Sequence, residues 1–333
     1  MADSQEDGED IRRGVLLFNL GGPESLEDVR PFLFNLFSDP EIIRIKNNLL
    51  RKSLAWIIAT TRQRKSRGLY RQIGGGSPLR RITDEQATAL AAHMEELGCP
   101  ARVYVGMRCW KPTIGEAVES IRSDRITHLV TLPLFPQFSV TTTGSCLKYF
   151  RALVDEMGLS WTAKISDASP WYDNSLYVES MADLIRESLG TFWGGNFERV
   201  HILYSAHSIP AIYVKEGDPY LEQTRRTVAS IDARLGNIAP SLLAFQSKVG
   251  PVKWLEPSTK DTLKLLGQKG VERVLAVPVS FVSDHIETLQ EIDILYKRIA
   301  AEAGIKEFHR VPAPNLYPKF IKALASIAIR AFG

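Results

Sequence analysis

Cysteine is scarce: Cys99, Cys109 and Cys146 are the only three in 333 residues. Their spacing suits neither a zinc site nor a disulfide framework, so a reducing compartment is expected. Charge of one sign is not in excess either. The 41 Lys and Arg against 38 Asp and Glu leave a net +3, too little to argue for a nucleic-acid partner. No apolar run approaches the ~20 residues of a membrane span. The N-terminus lacks the basic and apolar regions of a signal peptide and the arginines of a transit peptide. Its first ten residues instead hold Asp3, Glu6, Asp7, Glu9 and Asp10, so residues 1–12 read as a disordered acidic leader. Nucleotide fingerprints are also missing. Gly74-Gly-Gly-Ser-Pro78 has no Lys-Ser/Thr, and Gly21-Gly-Pro23 falls short of a dinucleotide loop.

What remains is an ordinary globular composition, 44% hydrophobic and 24% charged. Short apolar runs (14–20, 102–105, 128–134, 200–205 and 273–281) alternate with helical patterns (83–97, 114–122, 175–189, 223–235, 258–267 and 288–303). This alternation predicts an α/β fold with parallel sheets flanked by helices on both faces. Two such units are read, over 13–170 and 171–333, joined near Asp167-Ala-Ser-Pro170. The halves echo each other: Gly14–Leu20 pairs with Val200–His207, and Val130–Ser139 with Leu275–Ser283.

Ligands of open α/β sheets bind beyond the carboxyl ends of the strands. The informative residues are therefore Asn19–Pro23, Gly106–Trp110, Phe135–Ser145, Ser205–Pro210 and Phe281–Glu287. His207, in Ser205-Ala-His-Ser208, is a base, a metal ligand or a structural histidine tied to hydroxyls. Asp284, His285 and Glu287 crowd the start of a helix. Ser283 or Asp284 could be its N-cap, with Glu287 completing a capping box, which leaves His285 unexplained. Glu291, four residues on, shares a helix face with Glu287. These carboxylates could pass protons or cations, or form an exposed acidic stripe. The segment 31–60 is rich in large apolar residues and is followed by Arg62, Arg64, Lys65, Arg67 and Arg71. It reads either as core helices or as an amphipathic lip on a membrane or a greasy ligand.

Seven stretches in order resemble the signature blocks of the ferrochelatases. They are Leu17-Phe-Asn-Leu-Gly-Gly-Pro-Glu24, Ile73-Gly-Gly-Gly-Ser-Pro78, Val105-Gly-Met-Arg108, Pro136-Gln-Phe-Ser139 with Thr143-Gly-Ser145, Ser205-Ala-His-Ser208, Gln246-Ser-Lys-Val-Gly-Pro251 with Trp254, and Ser283-Asp-His-Ile-Glu-Thr-Leu289. Phe32-Leu-Phe-Asn-Leu-Phe37 and Asp39-Pro-Glu-Ile-Ile43 resemble the cyanobacterial and plastid branch. The resemblance implies two similar Rossmann-like domains with a porphyrin cleft between them, and insertion of Fe²⁺ into protoporphyrin IX without an organic cofactor. It implies catalytic roles for His207, Glu287 and Glu291, with His207 and Glu287 as transient contacts of Fe²⁺. It places Leu20, Tyr70, Ser77, Arg108, Trp254, Phe281, Asp284 and His285 around the porphyrin. Segment 31–60 corresponds to the lip that contacts membrane. A homodimer is compatible with it, and the location implied is a plastid or similar organelle, or the bacterial cytoplasm in a prokaryote.

The chain departs from the pattern at three places. Cys109 stands where many relatives carry Tyr, and Leu295 where many continue the line of acids, with Asp293 nearby. Val140 occupies the internal cysteine position of the animal iron–sulfur cluster and no Cys follows Cys146, so no cluster is expected. Competing readings are a chelatase for another metal or for coproporphyrin, and a tetrapyrrole carrier that binds without turnover.

Overall fold

A computed structural model describes residues 11–157, 163–248 and 252–333. Most of the acidic leader and the Val249-Gly-Pro251 part of one signature block lie outside the described residues. Two four-stranded, all-parallel sheets are present. The first has β1 (Arg13–Asn19), β2 (Arg102–Met107), β3 (His128–Pro133) and β4 (Lys164–Asp167) in the order β2-β1-β3-β4. The second has β5 (Val200–His207), β6 (Ser241–Gln246), β7 (Arg273–Pro278) and β8 (Glu307–Arg310) in the order β6-β5-β7-β8. The expected echo is thus a shared topology, with β1 matching β5 and β3 matching β7.

The central strands β1 and β5 are covered on both faces and read as nearly unbroken apolar runs, as inner strands of parallel sheets do. The runs near β4, β6 and β8 were not expected from sequence. These are edge or near-edge strands, short and partly exposed, and Lys164-Ile-Ser-Asp167 and Glu307-Phe-His-Arg310 carry no apolar run to betray them. β5 extends to His207, so this histidine is the last residue of the strand and not part of the loop. β7 stops at Pro278, short of the expected Phe281, because the chain turns there.

The helices are α1 (Val29–Ser38), α2 (Asn48–Arg71), α3 (Leu79–Glu96), α4 (Ile114–Ser123), α5 (Ser145–Glu156), α6 (Ser175–Trp193), α7 (Ala211–Lys215), α8 (Tyr220–Leu235), α9 (Thr259–Gln268), α10 (Lys297–Glu302) and α11 (Pro318–Phe332). Among the described residues, Val140–Gly144 before α5 and Glu287–Tyr296 before α10 are π-helical. Equivalent local rules start α4 and α9. Thr113 caps α4 in a full capping box with Glu116, and Ser258 caps α9 by accepting from Asp261 N at 3.1 Å.

The ends of the two sheets are fastened together where the site lies. Trp171 Nε1 donates to Pro133 O at 2.9 Å, and the adjoining Tyr177 donates its hydroxyl to Val279 O at 3.2 Å. Gln86 of α3 donates to Val282 O and Asn315 O at 3.2 and 2.9 Å and accepts from Ser283 Oγ at 3.1 Å. Helix α11 crosses back to pack on α3 and β3, and its Phe320 and Leu324 join a core that contains residues of both sheets.

Candidate active site

His207 ends the central strand of the second sheet with its side chain 38% exposed. Its backbone is pinned from two sides: its N–H donates to Ser280 Oγ at 2.8 Å, and its carbonyl accepts from the Tyr220 hydroxyl at 2.8 Å. Its Nδ1 lies 2.7 Å from Glu287 Oε2. A carboxylate accepts, so Nδ1 carries the hydrogen and Nε2 is left to meet a ligand. Burial works against a charged His207, but Glu287 and then Glu291 outweigh it and hold its pKa above the ordinary value.

Glu287 is the first residue of the π-helix, and the expected capping box is not formed. The residue before that helix, Ile286, makes no side-chain cap, and Glu287 turns instead to His207. Asp284 is also engaged elsewhere. It accepts from Thr288 Oγ1 at 2.8 Å, from Asn315 Nδ2 at 2.7 Å and from Arg310 at 2.8 Å, and that arginine also takes Asp293. Asp284 and Asp293 therefore belong to a cluster around Arg310, apart from the acids that reach His207, and Leu295 packs into the core.

Glu287 and Glu291 do meet, through β6. The Ser247 hydroxyl lies 2.9 Å from Glu287 Oε2 and 2.6 Å from Glu291 Oε2. Gln246 Nε2 donates to Glu287 O at 2.9 Å and to Glu291 Oε2 at 3.0 Å, while Ser205 Oγ donates to Gln246 Oε1 at 2.6 Å. Burial would raise the pKa of Glu287, but His207 prevails and keeps it well below the carboxylate range. Burial and then the charge of Glu287 push Glu291 up to about 7. His285 donates Nδ1–H to Ser283 O at 3.0 Å, and burial lowers its pKa, so it presents a neutral Nε2. Phe281 packs edge-on between the two imidazoles, with ring centroids 6.4 Å from His207 and 4.7 Å from His285.

The first half supplies an apolar wall. Tyr70, at the end of α2, is buried with Val29, Phe32, Leu33, Ala59 and Cys109, and Leu20, Trp110 and Ile286 pack on this cluster. Ile286 adjoins Glu287, and Tyr70 lies near enough that burial and then the Glu287 charge raise its pKa. Arg108 leaves β2 toward the lip. It forms a salt bridge at 3.1 Å with the fully buried Asp39, donates Nε to Ser145 Oγ at 2.8 Å, and stacks over Tyr149. Its charge is thus already compensated. Ser77 donates its N–H to Pro23 O at 2.7 Å and packs against Gly22, where a Cβ would come within 2.8 Å of it. A Cβ on Gly76 would lie 2.1 Å from Glu24 O. The two glycine motifs therefore interlock, which accounts for them without a phosphate. Trp254 pairs through its backbone with Pro210, just past His207, and its buried Nε1 has no acceptor among the described residues.

The lip is two helices. Val29, Phe32 and Leu33 bury one side of α1 against α2, but Leu49, Leu50, Trp56 and Ile57 of α2 are exposed, Leu49 at 78%. Asn47 caps α2 by accepting from Leu49 N and Leu50 N. Seven Lys and Arg and no acid lie on this helix.

The ferrochelatase family profile matches residues 12–331. The chain belongs to the ferrochelatase family. Among curated ferrochelatases, those of Gloeothece citriformis and a Synechocystis species are each 52% identical, over 96% of this chain and 82% of theirs. The solved structures of SirB from Bacillus subtilis with Fe³⁺ (TM-score 0.55, 13% identity, 97% of this chain and 96% of that one) and of CbiX, the terminal enzyme of sirohaem biosynthesis in denitrifying bacteria (TM-score 0.52, 16% identity, 96% and 98%), share the fold. Sequence reasoning about this ferrochelatase-family chain reached His207, Glu287 and Glu291 but passed over Ser247, Ser280, Tyr220 and Asp39. Ser247 stood inside a signature block, next to a glutamine and after an apolar stretch, and that was its one signal.

Proposed function

We propose that this protein is a protohaem ferro-lyase that inserts Fe²⁺ into protoporphyrin IX with release of two protons. The observation that carries this reading is the half-buried, hydrogen-bonded line His207–Glu287–Ser247–Glu291 facing the apolar wall of Leu20, Tyr70 and Ile286. A flat apolar ring suits such a wall, and its central N–H groups need a base beside it.

His207 Nε2 accepts a pyrrole proton, while Nδ1–H remains on Glu287. The raised pKa of His207 makes it the stronger base. The imidazolium can then give its Nδ1 proton to Glu287, which leaves a neutral ring with its hydrogen on Nε2; a turn of the ring presents the bare Nδ1 to the second N–H. Fe²⁺ enters as a substrate, and the exposed Nε2 and the Glu287 carboxylate are its first donors. The Leu20 and Tyr70 side grips the macrocycle and favours a puckered ring over a planar one, which exposes the nitrogens to the metal. Neutral His285, with Phe281 beside it, lines the same side as His207. The unpartnered Trp254 Nε1 suits a peripheral carboxylate of the porphyrin. Arg108 and Asp284, both paired within the protein, act by holding the lip and the β7 loop in place.

Peripheral attachment belongs to the same proposal, at a membrane of a plastid or of a cyanobacterium-like cell. Exposed Leu49, Leu50, Trp56 and Ile57, amid the cations of α2, suit an anionic bilayer surface. Among the described residues no helix is long and apolar enough to cross a membrane. Co-sedimentation with vesicles containing anionic lipid should fall when Leu50 and Trp56 are replaced by Glu.

The deciding experiment mixes the protein anaerobically with protoporphyrin IX and Fe²⁺ and follows loss of free-porphyrin fluorescence. Turnover by the wild type and its loss in His207→Ala are expected. Tight binding without wild-type turnover would favour a carrier, and turnover confined to coproporphyrin or another metal would redefine the substrate.

A further inference from the structure

One hydroxyl stands between two carboxylates. Ser247 Oγ is within hydrogen-bond reach of Glu287 Oε2 and Glu291 Oε2, at 2.9 and 2.6 Å. A serine hydroxyl has one hydrogen to give and lone pairs to accept with. It can serve both acids at once only by donating to one and accepting from the other. The backbone supports this placement at some cost: Ser247 is a non-glycine residue at φ +66°, a left-handed conformation that favours glycine. Glycine is absent here, although Gly would suit the turn better, so the side chain is what the position retains.

The neighbours hold the bridge rigid. Gln246 donates to the Glu287 carbonyl and to Glu291 Oε2, and Ser205 fixes the amide from behind. Ser205 Oγ is itself 2.9 Å from Thr259 Oγ1, so the polar chain is anchored in α9. Gln246 reaches only the backbone carbonyl of Glu287, so among the described residues Ser247 Oγ alone is hydrogen-bonded to both carboxylates.

On the reading that His207 and Glu287 accept the porphyrin protons, we infer that Ser247 is the positioning residue that joins Glu287 to Glu291 in one proton path. A proton on Glu287 passes to Ser247 Oγ as the hydroxyl's own hydrogen passes to Glu291, so serine ends unchanged and one proton has moved between the carboxylates. Glu287 is then ready for the second pyrrole proton.

The test uses the full chain with Ser247→Gly and Ser247→Ala. Gly removes the hydroxyl but relieves the left-handed backbone, whereas Ala removes it and keeps Cβ. Both should lower kcat for metal insertion by about tenfold, the rate equivalent of one strong hydrogen bond lost from the transition state, with KM for porphyrin unchanged. Glu291→Gln should cost a similar factor in the wild type and almost nothing in the Ser247→Gly background, because the path is already cut. Additive losses in that cycle would overturn the inference. So would a Ser247→Gly enzyme with wild-type kcat, which would reduce Ser247 to a backbone role, or a rise in KM matching the fall in kcat/KM. Loss of turnover in the wild type would instead defeat the ferrochelatase reading, and porphyrin binding measured alongside separates the two.

Discussion

The registers of the two sheets superpose residue by residue at the strand ends. Phe18 sits opposite Pro133 in one, Ser205 opposite Pro278 in the other, and Met107 and Phe245 each donate to the carbonyl of the proline before a helix cap. Counting on from there, Leu20 corresponds to His207, Arg108 to Gln246 and Cys109 to Ser247. β3 and β7 each lead on to a π-helical turn, Val140-Thr-Thr-Thr-Gly144 in the first half and one opened by Glu287 in the second. One scaffold has thus been furnished twice. The first copy turned its strand ends into an apolar wall, with Cys109 sealed in it and Arg108 tied to Asp39. The second turned the same positions into a base, an amide and a hydroxyl aimed at two acids. The parallel backbone fixes where the side chains stand, and their chemistry alone decides which half reacts.

Substitutions at matched positions should break this pairing unequally. His207→Ala removes the base and should lower kcat by roughly 10²–10⁴, with porphyrin affinity nearly intact. Leu20→Ala should do the reverse, raising KM with little change in kcat. Asp39→Asn leaves the buried Arg108 without its counter-ion. Thermal or urea unfolding should show a loss of about 3 kcal/mol, the cost of breaking a buried pair, with no matching loss at an engineered break between exposed Arg81 and Glu85.

A pH profile separates the halves further. On the proposed mechanism metal insertion needs unprotonated His207, whose pKa is raised by Glu287 and Glu291 against burial, so the acid limb should lie above the ordinary imidazole value. Replacing Glu287 by Gln removes the anion that favours imidazolium, and the limb should move to lower pH, whatever happens to the maximum rate. The linkage to stability has the same sign. A raised histidine pKa stabilises the fold below the unfolded value of ~6.5 and this contribution fades as pH rises through the folded one. The smallest effect should come from Cys109→Ser, which puts an unneeded hydroxyl into the wall. A loss of about 1–2 kcal/mol in unfolding, without a change in kcat, is expected. A change in kcat would mean that the first copy shares in the chemistry.

Much of this was legible in the sequence. Apolar runs gave β1, β2, β3, β5 and β7, and the positions at or just past their ends gave His207 and Glu287. What escaped depended on partners distant in the chain. Edge strands such as β8 are set by pairing, not by their own residues. The capping-box reading of Glu287 was locally sound and lost to a histidine 80 residues away. Arg108, which the resemblance places at the porphyrin, is paired with Asp39, 69 positions earlier in the chain, and Ser247 acquires its meaning only where β6 meets the π-helix.

Helix α11 carries a consequence for how the protein is made. It packs on α3, α6 and β3, yet residues 318–332 leave the ribosome after everything they touch. Until then the first half, although its own sheet is complete, presents bare apolar ground around α3 and β3 to the cell. Folding during synthesis therefore cannot close one half before the other. The ground around α3 and β3 is covered only once residues 318–332 have been made.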